Sequence, residues 1–117
     1  MQEIYNHSGE LIAYQYQNML LHPNKWDVLG LVLGNCVYNH QAVALGKFVQ
    51  HNIYNFSGEV MARKSDASIP VPDQIDLTKS ILQGWDILLG IKDYSSPWVE
   101  TTPKWSNASL AESLYTY

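Results

Sequence analysis

The chain has 117 residues, enough for one domain that buries roughly two-thirds of the surface its unfolded form exposes. Its net charge is −4 and only 15% of its residues are charged, well under the usual quarter. With no cluster of Lys and Arg to neutralise phosphates and no apolar run near the roughly 20 residues that span a bilayer, the composition argues against nucleic-acid binding and a membrane span.

The charge is uneven: residues 1–63 hold four acids and three bases, and residues 64–117 hold seven acids and four bases. Met1-Gln2-Glu3 leads straight into patterned sequence without a basic or apolar leader. Cys36 is alone, so no internal disulfide can form. A cytoplasmic location is expected. Sequons at Asn6, Asn55 and Asn107 carry no functional weight, because the first two stand where a turn wants Asn in any case.

Residues 4–63 say nearly the same thing four times. Each unit opens on Ile4-Tyr5-Asn6, Leu20-Leu21-His22, Val37-Tyr38-Asn39 or Ile53-Tyr54-Asn55, at steps of 16, 17 and 16 residues. The answers are Leu11-Ile12-Ala13, Val28-Leu29-Gly30, Ala44-Leu45-Gly46 and Val60-Met61-Ala62. A unit this long holds two strands of about five residues and two short turns. Asn6-His7-Ser8-Gly9 and Asn55-Phe56-Ser57-Gly58 fit a type I turn followed by a left-handed glycine. Unit three keeps the Asn and loses the Gly; unit two is one residue longer. Asn18, Asn35 and Asn52 mark the second turns. On the return strand of unit one, alternation puts Ile12, Tyr14 and Tyr16 on one face and Leu11, Ala13 and Gln15 on the other. The small column Ala13, Gly30, Gly46, Ala62 signals a close approach in every unit, expected near a pseudo-fourfold axis. The flanking columns Ile12/Leu29/Leu45/Met61 and Ile4/Leu20/Val37/Ile53 are the expected core.

The aliphatic-Tyr-Asn opening, the turn glycine and the aliphatic-small answer resemble the four-fold beta flower family of small bacterial proteins, over residues 3–63. The resemblance implies a closed arrangement of four hairpins and no assigned activity, so it brings no catalytic residues. Unit two departs most, with Leu21-His22 for Tyr-Asn. A looser likeness is to PRC-barrel domains, which act as protein-binding modules.

Residues 64–73 read as a Pro-containing connector. Residues 74–117 read as a helical tail, capped at Asp73 or Asp76, with Leu77, Ile81, Trp85, Leu88 and Leu89 at helical spacing and Leu82, Ile87 and Ile91 widening the stripe. Gly84 suggests close packing, and Gly90 ends the helix. Tyr94 to Trp105 reads as ordered loop. A short terminal helix, started by Ser106 or Asn107, carries Leu110, Ala111 and Leu114 and must dock to be stable.

Candidate chemistry is thin. His7 and His40 share a turn position in units one and three and could face one another across a ring, but turn histidines are mostly solvated. His22 and His51 lack regular ligand spacing. Glu10 and Glu59 follow the turn glycines and form the other half of a weak candidate polar site. Cys36 fits a small buried hydrophobe better than a nucleophile, and the Tyr5, Tyr38 and Tyr54 column is of the kind that strands use structurally. Phosphate-cradling and nucleophile-elbow glycine motifs are absent. No catalytic, cofactor-binding or metal-ligating residue is assigned, and no cofactor is implied.

The expected fold is α+β: a pseudo-fourfold array of four antiparallel hairpins (1–63), the connector (64–73) and a helical tail (74–117) packed on the hairpins or on a second copy. The expected function is a non-enzymatic interaction module, a homo-oligomer and first of all a dimer, or one that takes another protein partner. Its candidate interface is Trp85, Leu88, Leu89, Trp98 and Trp105. The alternative is a small-molecule binder or minor hydrolase with a pocket between hairpins and tail.

Overall fold

The computed structural model describes residues 1–72, 75–92, 98–108 and 110–115. Eight strands follow in chain order: β1 (Gln2–Tyr5), β2 (Leu11–Tyr16), β3 (Met19–Leu21), β4 (Val28–Leu33), β5 (Cys36–Asn39), β6 (Ala44–Val49), β7 (Asn52–Asn55) and β8 (Val60–Ser68). Helices α1 (Thr78–Gly90) and α2 (Leu110–Tyr115) come after them.

The first turn of every unit is built the same way. In unit one the Asn6 N–H donates to Glu10 O, the Gly9 N–H donates to Asn6 O, and Asn6 Oδ1 accepts from the Glu10 N–H at 2.9 Å. Unit four repeats this around Asn55, whose Oδ1 accepts from Ser57 and Glu59. Gly9 and Gly58 sit at φ +82° and +84°, the left-handed conformation that a type I turn with a following glycine requires. Unit three uses Ala42 at φ +64° in that place, with Asn39 Oδ1 holding the turn. In unit two His22 stands in for the missing Asn: its Nδ1 accepts from the Asn24 and Lys25 N–H groups, both at 3.1 Å.

Each hairpin also carries one extra residue in its return strand. Tyr5 pairs with Leu11 and Ile4 with Ala13, which leaves Ile12 bulged. The same slip isolates Leu29, Leu45 and Met61. A bulge turns its residue off the regular alternation, so Ile12 and Ala13 join one core cluster, and the simple alternation expected for that strand does not hold. Deeper in, Ile4 faces Ala13, Leu20 faces Gly30, Val37 faces Gly46 and Ile53 faces Ala62. Large against small at every step is how a narrow barrel fills its interior. The small column is set by the next hairpin: a Cβ on Gly30 would lie 2.1 Å from Tyr38 O, and one on Gly46 would lie 2.0 Å from Tyr54 O.

The expected fold class is corrected here. The strands form a closed barrel in the order β1 to β8, with β8 returning to pair with β1. The class is mostly β, and the hairpins do not stand apart as a flower array with a helical tail. The physical reason lies in the second turns. They are two-residue connections, Gln17-Asn18, Gly34-Asn35 and Gln50-His51, so β2 pairs with β3, β4 with β5 and β6 with β7 as tightly as within a hairpin. Separate hairpins would leave unpaired edges, and closure removes every one. In the third of these turns His51 takes the place held by Asn18 and Asn35; Asn52 already lies in β7. β8 runs on to Ser68, so regular strand continues past the expected boundary at residue 64.

α1 lies on the outer face of β3, β4 and β5. It buries Ser80, Gly84 and Ile87 against a second core that holds Met19, Leu21, Val28, Leu31, Cys36 and Tyr38. Ser80 Oγ donates to Trp26 O at 2.8 Å, and a Cβ on Gly84 would stand 3.1 Å from Met19 Sδ. Leu77 holds the helix-capping position, while Asp76, one residue earlier, accepts from the Thr78 N–H and has its carboxyl held below the usual range by the Thr78 hydroxyl first and that N–H second. Asp73 lies outside the described residues.

The end of the chain returns to the barrel. The Val60 N–H donates to Lys104 O, and Val60 O accepts from the Ser106 N–H, which seats Trp105 beside the start of β8. α2 then places Leu110 and Leu114, both fully buried, in the barrel core with Ile12, Leu29 and Met61. The Tyr115 hydroxyl donates to Ile12 O.

Candidate functional site

Among the surfaces that this packing leaves are the outer face of α1 and a cleft beside Trp105. On α1 the buried side runs through Leu77, Ser80, Gly84, Ile87 and Ile91. The helical period then turns Ile81, Leu82, Trp85 and Leu89 outward, at 42%, 62%, 58% and 80% exposure. The stripe read from sequence therefore mixes two faces, and Ile81, Trp85 and Leu89 lie on the open one. Leu88 packs at the edge of the second core. A groove of about 200 Å³, lined by Met19, Leu31, Leu33, Ile81, Trp85 and Leu88 among others, joins the covered side to the open one. Lys79 and Asp86, exposed and seven residues apart, lie along one edge of the apolar stripe, where Lys79 also lines a hollow with Asp27 and Asp76.

The expected interface residues thus divide. Trp85, Leu89 and Trp98 are exposed, Trp98 at 80%. Leu88 and Trp105 are half-buried in contacts of their own chain. Sequence reasoning missed Ile81 and Leu82 as interface candidates and Arg63 altogether. The first two had a signal in the width of the apolar stripe; Arg63 had none.

The cleft, about 730 Å³, opens where the turn after β1, the turn before β7, β8 and Trp105 meet. His7 stacks flat on the Trp105 indole, centroids 4.3 Å apart and planes within 5°. The Arg63 guanidinium lies over the same indole at 5.6 Å, and its Nε donates to Asn52 Oδ1 at 3.3 Å. Lys64 Nζ rests 5.2 Å from the Phe48 ring centre. Across the cleft His51 Nδ1 lies 3.0 Å from Asp66 Oδ1. Tyr5 completes the wall; its hydroxyl donates to Glu3 Oε2, which raises its pKa above the ordinary phenol value.

The weak polar set is not brought together. His7 lines this cleft, whereas His40 lines a different one with His22, Lys25 and Asp27. Glu10 is exposed, while Glu59 is tied to Lys104 at 3.4 Å and to the Asn55 amide. The Tyr column also separates: Tyr38 is buried under α1, and Tyr54 accepts from Asn52 Nδ2. Cys36 is buried in the second core. Among the described residues no group of three His, Cys, Asp or Glu side chains could hold a metal ion, and no helix is long and apolar enough to cross a membrane. No family model, curated protein or solved structure matches the chain.

Proposed function

We propose that the chain is a non-enzymatic interaction module that self-associates as a dimer through the outer face of α1. The observation that carries this is the run Ile81, Leu82, Trp85 and Leu89, left open on a helix whose other side is already committed to the barrel. At their exposures these four side chains offer about 450 Å² of apolar surface, the size of the largest patch on an ordinary monomer. Two copies placed face to face bury about 900 Å² from these side chains alone, and flanking contacts bring the total towards the ~1,200 Å² at which specific dimers begin.

The charges favour a second copy of this chain over an unrelated partner. In an antiparallel two-fold pairing centred near residue 83, Lys79 of one copy meets Asp86 of the other, and Trp85 meets Ile81 and Leu82. The kinship proposed for the repeat remains the four-fold beta flower family, on its motif residues alone.

Light scattering on a sizing column tests the reading. The full chain is expected at twice its 13.3 kDa mass, and Leu89→Glu or Trp85→Glu at the single mass. Lys79→Asp or Asp86→Lys alone weakens the dimer by placing like charges together, and the combined exchange restores it. A wild-type chain that stays monomeric at every concentration overturns the proposal, and so does a combined exchange no better than either single change.

A further inference from the structure

The cleft beside Trp105 is independent of the α1 face, and its chemistry points elsewhere. In a chain of net charge −4, it gathers Arg63, Lys64, His7 and His51 around one acid, Asp66, which already faces His51. Arg63 makes no ion pair among the described residues, while Lys64 Nζ is turned to Phe48 of the barrel core. Arg63 is also held in place, by the indole face below it and by Asn52 at its Nε, so its terminal nitrogens remain available in a fixed orientation. That is the arrangement by which a guanidinium recognises a carboxylate or phosphate. Beside it the His7–Trp105 stack ends on the exposed His7 ring, a flat surface on which another ring can continue the stack. The volume lies within the range of small-molecule sites.

We infer that this cleft binds a small anion carrying a flat ring, with its anionic group on Arg63 and its ring on His7. Nucleoside monophosphates and aromatic carboxylates share that chemistry. The oriented guanidinium favours the anion, and the aromatic column favours the ring over inorganic phosphate alone.

The experiment is a two-dimensional amide and indole NMR titration of the full chain with adenosine monophosphate, benzoate, adenosine and inorganic phosphate. Adenosine monophosphate or benzoate is expected to move the Trp105 indole signal and the His7 and His51 amides with a Kd below about 1 mM. Whichever of the two binds more tightly identifies the source of the anion. Adenosine and phosphate alone are expected to bind at least tenfold more weakly, since each lacks half of the contacts. Arg63→Ala lowers affinity at least tenfold and Arg63→Lys lowers it less, each with an otherwise unchanged spectrum. Should Arg63→Ala unfold the chain, Arg63→Lys and His7→Ser carry the test, both weakening adenosine monophosphate. The inference fails if neither ring-bearing anion moves those signals, if phosphate alone binds as tightly, or if the folded Arg63 variants bind like wild type.

Discussion

At the residue scale, the four units explain one another's exceptions. His22 replaces the turn Asn of the other units and holds its turn with a ring nitrogen: Nδ1 accepts from the N–H groups two and three residues on, where Asn39 and Asn55 accept from those two and four residues on. The second turns show the reverse case. Their first residue has positive φ in three places: Gln17 at 53°, Gly34 at 60° and Gln50 at 56°. Only Gly34 adopts that conformation without a Cβ penalty. Gln50→Gly is therefore expected to stabilise the protein by about 0.5–1 kcal/mol, visible as a raised midpoint in urea. A lowered midpoint would mean that the Gln50 side chain contributes contacts larger than its backbone strain.

At the scale of elements, α2 shows how far a short helix depends on its surroundings. Six residues do not form a stable helix in water, yet α2 is ordered because Leu110 and Leu114 are fully buried among the barrel residues at one end. Leu110→Ala should cost about 2–5 kcal/mol in chemical denaturation, the range for a large core side chain cut to Ala. An effect under about 0.5 kcal/mol, the level of surface substitutions, would show that α2 is not part of the core. α1 differs in kind: its Gly84 admits Met19, so one side is closed by packing, and its opposite side is left exposed.

At the scale of the whole molecule, stability rests on closure. β8 pairs with β7 through Val60–Arg63 and with β1 from Arg63 to Ser68, so it joins the last hairpin to the first. A chain ending at Lys64 keeps the four repeats but loses the Gln2–Ser68 pairing, the Trp105 segment and the α2 plug. It exposes strand edge and barrel core together, the condition for aggregation. Such a chain is expected to be insoluble, or to lose slow amide exchange across β1. A soluble chain with full protection in hydrogen exchange would refute the view that the tail completes the fold.

Local chemistry was written in the sequence. The four-unit step, the turns at Asn6, Asn39 and Asn55, the aliphatic columns and the burial of Cys36 all follow from spacing and residue type, because turns and alternation depend on neighbours along the chain. What only the tertiary structure decided was which surfaces meet. A column such as Ile12 beside Ala13 reads as two faces until the bulge brings both into one core. Hairpins read as separate units until two-residue connections such as Gly34-Asn35 pair every edge. Periodicity shows that α1 is apolar on more than one side, and only packing selects the side of Gly84 and Ile87 for the barrel and leaves Trp85 and Leu89 open. Arg63 and Trp105 lie 42 residues apart in the chain and meet over one cleft; no local pattern encodes such a meeting, because it depends on where the returning segment pairs with β8.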